Sequence, residues 1–344
     1  MAWPTPQFTK GEVRRAGATL AAATDPETVP EALAALVNWR ACHGYPLNTF
    51  QATLRTKLKH IDENAIVAQR LKRLPSILSK LRRFEKMDLS RMQDIGGLRA
   101  IVDSIEKVNA VCDDYAASHF QHELRHKYDY IISPKDSGYR GIHLVYKYRN
   151  YRNPAYNDLQ IELQIRTRIM HSWATAVETM GTFLKQSLKA SEGPDEWLEF
   201  FSLVSAAFAI FESCPVGEKY AHMTAEEIFA KVTATSKRLD VHHRLIAFNE
   251  VLDFTNKNML GRSFYLIELN SAAKEIRVTS YGRNELTLAN QEYARAEAKA
   301  GEDETIEVVL VSAGPLESLR KAYPNYFLDT NDFLHQLKVI EALV

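Results

Sequence analysis

Apolar side chains at Leu54, Leu58, Ile61 and Ala65 recur at steps of four, three and four, which marks one face of an α-helix. That helix starts after Pro46 and Asn48, and Pro75 interrupts the pattern at its end. Ahead of it, the connector ATDPETVP closes a first segment near residue 30, and Glu31 to His43 reads as a helix begun at Pro30. Ile77, Leu81 and Phe84 continue a helical face. From Leu98 the period changes: LRAIVD, YDYII, IHLVYKYR and LQIELQIR are short β-rich runs cut by Gly, Pro, Asn and Asp, with a helix-like stretch to Ala117 after the first. Ile169 to Lys189 and Pro194 to Phe211 are helical again, until ESCPVGEKY at 212–220 breaks the pattern. Thr224 and Glu227 have capping-box spacing before a long helix running to about Thr255. FYLIEL and EIRVTSY follow on either side of NSAAK, then an Ala/Glu-rich helix, the run ETIEVVLVS and a terminal helix through Phe333 and Leu337.

This texture predicts an N-terminal arm over 1–30, a mixed body of helices around a sheet over 31–213, and a smaller accessory or regulatory α+β unit over 214–344. At 344 residues the chain is long enough for two domains. Hydrophobic residues at 46% exclude a disordered or low-complexity chain. Charge narrows the partners: 43 basic residues cancel 43 acidic ones, so a polyanion must be held by a local cluster rather than by a global field. The one dense basic stretch is Arg70, Lys72, Arg73, Lys80, Arg82, Arg83 and Lys86. Three cysteines far apart, Cys42, Cys112 and Cys214, support neither a disulfide framework nor a zinc site and are expected reduced. The polar start and the short, serine-interrupted LEFFSLVSAAFAIF lead to the expectation of a soluble, cytoplasmic chain without a membrane span.

His122, Glu123 and His126 spell the H-E-x-x-H of a zinc protease helix. The segment runs without a break into a β-rich run, however, and in a strand residues four apart lie about 13 Å apart, too far to share an ion. The expected state is a His-rich strand. More informative are polar groups at the ends of the predicted strands: Asp94 in QDIGGLR with Arg99 opening the next strand, Lys135, Tyr139 and His143 in SPKDSGYRGIH, and Glu162, Gln164 and Arg166 alternating on one face of LQIELQIRT. Two carboxylates from separate strands, Asp94 and Glu162, suit a Mg²⁺ bound to substrate phosphates, with the Arg/Lys stretch as phosphate clamp.

RLKRLPSILSKL, QDIGGLRAIV, DYIISPKDSGYRGIH and ELQIRTRIMHSWATAVE resemble, in order and spacing, the synthetase domain of RelA/SpoT-family alarmone synthetases over about residues 50–190. The resemblance implies a nucleotidyltransferase-like mixed sheet flanked by helices. It also implies transfer of the β,γ-pyrophosphate of ATP to the ribose 3′-hydroxyl of GDP or GTP, giving (p)ppGpp and AMP. By the same implication Arg70 and Arg99 would sandwich the adenine, and Lys72 and Lys80 would grip the ATP phosphates. Asp94 and Glu162 would hold Mg²⁺, or Mn²⁺ in its place, and Glu162 would also help deprotonate the acceptor hydroxyl. Tyr139 would stack on the acceptor base, while Lys135, His143, Gln164, Arg166 and His171 would line its phosphates or ribose.

Two departures bear on the acceptor. Trp173-Ala174-Thr175-Ala176-Val177-Glu178-Thr179 lacks the histidine of the WA-x-x-EH pattern and carries Glu178 one position late, and Asp136-Ser137 precede Gly138 where Lys-x-Asn-Gly is commoner. A toxin that pyrophosphorylates tRNA 3′ ends, or one that makes adenosine alarmones, is therefore the alternative, with an antitoxin, a regulatory partner or a second copy of the chain as expected companions. No His-Asp dipeptide occurs, so the family's manganese hydrolase domain is not expected and the chain reads as a synthetase only.

Overall fold

The computed structural model describes residues 3–118, 120–184, 188, 193–249, 253–255, 264–270, 273, 275–282, 284–300, 306–312 and 330–344. Their strands form one mixed sheet: β1 (Ile66–Leu71), β2 (Gly96–Val102), β3 (Glu123–Asp129), β4 (Ile142–Lys147), β5 (Gln160–Thr167), β6 (Asp253–Thr255), β7 (Phe264–Asn270), β8 (Glu275–Tyr281) and β9 (Ile306–Ser312). The order across it is β3-β4-β5-β2-β1-β9-β7-β8-β6. β2 runs parallel to β5, and β1 and β4 flank that pair antiparallel.

Helices α1 (Lys10–Ala22), α2 (Pro30–Cys42), α3 (Gly44–Ile61), α4 (Leu74–Arg83) and α5 (Ile105–Ala117) cover one face of the first five strands. Strand alternation explains this. Leu98, Ala100 and Val102 of β2, Leu163 and Ile165 of β5 and Leu144 of β4 point into a core with Val13, Leu36, Trp39, Phe50, Leu54 and Ile77, and each buried Leu, Ile, Val or Phe side chain contributes about 1.5–3 kcal/mol by leaving water. The intervening residues face the other way and carry the polar groups described below. Helices α6 (Arg168–Leu184), α7 (Asp195–Phe211), α8 (Ala225–Arg238) and α11 (Asn331–Glu341) close a second core around Trp173, Phe200, Phe201, Phe208 and Phe333. Helix α10 (Leu286–Ala300) packs Ala289 and Tyr293 on Leu266, Tyr281 and Val308 of the last strands.

Several expected boundaries move, each for a local reason. The N-terminal arm contains helix α1, capped by a Thr9–Glu12 box with Val13 and Leu20 buried. The helix carrying Leu54 ends at Ile61, because the following IVAQRL pairs residue for residue with β2 as β1, so Arg70 lies on a strand. The expected long helix to Thr255 is α8 followed by α9 (Val241–Asn249) and β6. Asp240 between the helices sits in the left-handed region at φ 51°, a conformation that stops an α-helix. The run expected at YDYII lies earlier, as β3, and includes Glu123 and His126. The last third does not stand apart from the first sheet: β9 pairs with β1 at Arg70↔Val311, and α11 packs beside α6 and α8. Thr255 aside, part of the NSAAK linker and of the ETIEVVLVS run falls outside the described residues.

The box at the start of α8 forms as expected, with the Glu227 N–H donating to Thr224 Oγ1 at 3.2 Å and the Thr224 N–H to Glu227 Oε2 at 2.9 Å. Thr224→Ala should lower stability by about 1 kcal/mol, read as a reduced urea midpoint with unchanged m-value. Among the described residues no helix is long and apolar enough to cross a membrane, and the cysteines are free thiols.

Candidate active site

The sheet face turned away from the first core carries two polar rows. His143 of β4 lies beside Gln164 of β5, which lies beside Arg99 of β2; one step along, Glu162 lies beside Gly97, and Gly97 beside Arg70. The alternation of LQIELQIRT thus places Glu162, Gln164 and Arg166 on this face as expected. Gly97 leaves a gap between Arg70 and Glu162, since the nearest atom to a side chain there would be the Arg70 carbonyl at 3.8 Å. A shallow cleft lined by Ala68, Arg70, Gly97, Arg99 and Gln164 opens at that gap.

Five of the expected residues close a hydrogen-bonded ring. Tyr139 and His143 meet hydroxyl to Nε2 at 2.6 Å, and His143 Nδ1 lies 2.8 Å from Glu162 Oε1. Gln164 Nε2 donates to Glu162 Oε2 at 2.8 Å, and Arg166 Nη2 donates to Gln164 Oε1 at 2.8 Å and reaches the Tyr139 hydroxyl at 3.5 Å. With the carboxylate accepting from Nδ1, Nε2 is left to accept the Tyr139 proton. Burial works to raise the Glu162 pKa, but His143 and Gln164 outweigh it and hold the carboxyl below its usual range. A charged acceptor is therefore fixed on the sheet face.

A second cluster adjoins it. Lys72 Nζ and Lys80 Nζ sit 3.0 Å from Oδ2 and Oδ1 of Asp94. Burial again opposes ionisation of Asp94, and the two ammonium groups prevail, keeping it below the usual carboxylate range. Arg99 is pushed down to about 9 by burial and by the neighbouring Arg166 and Arg70 charges. The Nε groups of Arg99 and Arg166 are buried without a hydrogen-bond acceptor among the described residues. Buried donors left this way cost free energy that an incoming anion would recover.

Asp94 and Glu162 fit the expected cation. Both are ionised, and the charge of Asp94 opposes that of Glu162; a divalent ion between them would relieve that repulsion, taking its other ligands from substrate phosphates. Among the described residues no three His, Cys, Asp or Glu side chains gather to hold an ion on their own. The H-E-x-x-H residues are otherwise engaged: His122 stacks between Phe50 and Tyr148 at 4.7 Å from each, Glu123 pairs with Arg125 and Arg149, and His126 lies on β3.

Burial bears on two of the expected residues, Tyr139 and His171. Tyr139 is only 5% exposed, so stacking a base on it would first require its ring to be uncovered. The half-buried aromatic beside it is Tyr130, with Lys135 Nζ 4.4 Å from its ring centre. Burial lowers the pKa of Lys135, against the pull of Glu162. His171 is buried on α6, outside the ring. Sequence reasoning missed Tyr130, although YDYII offered it, and missed that the displaced Glu178 acts on both Arg99 and Tyr139.

The two depressed carboxylates set a pH dependence. A group whose folded pKa lies below its unfolded one stabilises fully above the unfolded value, and that contribution is lost as pH falls through the folded value. Stability should therefore drop as pH falls below the ordinary carboxylate range, roughly 4. Asp94→Asn with Glu162→Gln should flatten that limb in urea titrations between pH 3 and 6; a limb of unchanged steepness would contradict the assignment.

Comparison with known proteins bears on this arrangement. Residues 69–183 match the family model for the region found in RelA / SpoT proteins. The chain is 34% identical over 128 residues to GTP pyrophosphokinase YjbM of Bacillus subtilis, covering 36% of this chain and 60% of that protein. It is 26% identical over 194 residues to an uncharacterised protein of Mycobacterium tuberculosis, covering 56% of this chain and 65% of the relative. The crystal structure of small alarmone synthetase 1 from Bacillus subtilis bound to its product pppGpp aligns at 26% identity over 49% of this chain and 88% of that one, with a TM-score of 0.43. The chain spans about three fifths of the length of the curated relatives it matches. The ring and the Asp94 cluster both fall inside residues 69–183, the segment similar to the region found in RelA / SpoT proteins.

Proposed function

We propose that the protein transfers the β,γ-pyrophosphate of ATP to the ribose 3′-hydroxyl of GDP or GTP, giving ppGpp or pppGpp and AMP. The observation that carries this reading is the buried ring that holds an ionised Glu162 beside Asp94, Lys72 and Lys80. Phosphoryl transfer needs alignment and charge neutralisation more than covalent help, and this face supplies both without a nucleophilic Ser or Cys.

In the reaction, Lys72 and Lys80 exchange their contacts with Asp94 for the ATP phosphates. Arg70 and Arg99 flank the adenine, and Lys135, Gln164, Arg166 and His171 hold the acceptor. The 3′-hydroxyl oxygen attacks the β-phosphorus, the bond from that phosphorus to the α–β bridging oxygen breaks, and AMP leaves with the oxygen. Glu162 takes the hydroxyl proton, and His143, held between Glu162 and Tyr139, keeps the carboxylate oriented. A Mg²⁺ or Mn²⁺ held by Asp94 and Glu162 would neutralise charge on the transferred phosphates.

One observation favours a polynucleotide acceptor as a second reading. His126, Tyr128 and Tyr130 form a stepped stack along edge strand β3, with interplanar angles of 24° and 4°, and such a ladder suits successive unpaired bases of a tRNA 3′ end. Incubation with γ-³²P-ATP and GDP, GTP, ADP or bulk tRNA separates the two. Label on GDP or GTP is expected. Label on tRNA alone would replace the first reading with the second, and label on none of the four would contradict both.

A further inference from the structure

The last third of the chain reaches the ATP-side corner through one buried carboxylate. Helix α4 opens at Leu74, and the preceding Arg73 makes no side-chain cap. The first N–H groups of a helix have no intrahelical acceptor. Here the Leu74 N–H donates to Glu297 Oε1 at 2.8 Å, across 223 residues of sequence. Glu297 lies on α10 and is 7% exposed. Its Oε1 also accepts from the Tyr293 hydroxyl at 2.8 Å, and its Oε2 faces Arg40 Nη1 at 3.4 Å. Arg40 in turn donates through Nη2 to the Tyr293 hydroxyl at 2.6 Å and through Nε to the Lys72 carbonyl at 2.7 Å.

The turn from β1 into α4 is thereby held at both ends by one Arg–Glu pair, at the carbonyl of Lys72 and at the N–H of Leu74. Two residues upstream, the Arg70↔Val311 pairing fixes β1 to β9. The Lys72 and Lys80 ammonium groups hang from the two arms of that turn, each 3.0 Å from Asp94. Removing Glu297 would leave Arg40 buried without its counter-charge and the Leu74 N–H without its acceptor, both costly enough to shift the turn.

We propose that Glu297 is a positioning residue for the ATP-binding corner, so that this one carboxylate of α10 supports the nucleotide site from the last third of the chain. This rests on the reading of Lys72 and Lys80 as the phosphate grip. The test uses the full chain with Glu297→Ala, Glu297→Gln and Leu266→Ala, the last loosening the packing beneath α10 without touching the carboxylate. Steady-state kinetics, calorimetric binding of α,β-methylene ATP and amide exchange at Leu74 are measured for each.

Glu297→Ala should raise KM for ATP and the analogue Kd about tenfold, leave the acceptor KM within twofold, and speed Leu74 exchange about tenfold. Glu297→Gln, which retains an acceptor for Leu74 but loses the charge facing Arg40, should fall between and decides the matter if the alanine variant does not fold. Leu266→Ala should lower the unfolding midpoint while leaving ATP affinity alone. Unchanged analogue binding in both Glu297 variants, or an equal loss in Leu266→Ala, would overturn the proposal. If the unmodified chain transfers nothing, the functional reading fails, while analogue binding and Leu74 exchange still decide the role of Glu297.

Discussion

Glu162→Gln is expected to reduce pyrophosphate transfer by a factor on the order of 10³, equivalent to about 4 kcal/mol of transition-state stabilisation, without unfolding the protein. The substitution keeps the side chain's volume, so the β5 face remains filled. What it removes is the charge: the variant cannot accept the acceptor's proton and contributes no anion beside Asp94. It also turns one acceptor of the ring into a donor, which must then face either His143 Nδ1 or Gln164 Nε2, the two groups within 2.8 Å of the native oxygens. Asp94→Asn should have a similar effect, since it takes away the anion 3.0 Å from both Lys72 and Lys80. Turnover near the unmodified level in either folded variant would contradict the assignment.

Gly138→Ala is expected to destabilise the fold by roughly 2–4 kcal/mol, through backbone strain and overpacking together. Gly138 sits at φ +87°, where a side chain is disfavoured, and an added Cβ would lie 2.9 Å from Ser205 Cβ, 3.1 Å from Ser202 Cα and 3.2 Å from Trp173 Cζ2. The Ser205 hydroxyl also donates to the Gly138 carbonyl, and the Ser202 hydroxyl to that of Asp136, so the loop is seated on α7 with little room to shift. Because Tyr139 follows directly, its hydroxyl bond to His143 should be disturbed as well, and activity should fall with stability. Thermal unfolding of the variant measures the first effect, and an unchanged midpoint would show that the loop has freedom these contacts exclude.

Local sequence carried much of this site. The period-two alternation of LQIELQIRT is enough to put Glu162, Gln164 and Arg166 on one face, because strand geometry leaves no other choice. The reading of H-E-x-x-H as strand followed in the same way for Glu123 and His126, which lie on β3, while His122 sits just ahead of it. What local pattern could not supply were contacts made across the fold. Asp94 was expected at a metal and Lys72 and Lys80 at phosphates; that all three meet depends on the turn between β1 and α4. The burial of Tyr139 depends on α7, which supplies Ser202 and Ser205 against its loop. In the last third the strands themselves were legible, but the attachment of β9 to β1 joins Arg70 to Val311, and no pattern near either residue encodes so distant a pairing. The Glu297 contact was hidden for the same reason: in sequence it is one glutamate on an Ala/Glu-rich helix.

Transfer of two phosphates as a unit to a ribose 3′ oxygen is visible in the ³¹P NMR spectrum of a reaction containing unlabelled ATP, GDP and Mg²⁺. The prediction is one AMP for each GDP consumed, with a new pair of mutually coupled phosphorus signals whose inner member couples to the ribose 3′ proton. Appearance of ADP or free pyrophosphate with GDP unchanged, or attachment of the phosphates at another position, would contradict it.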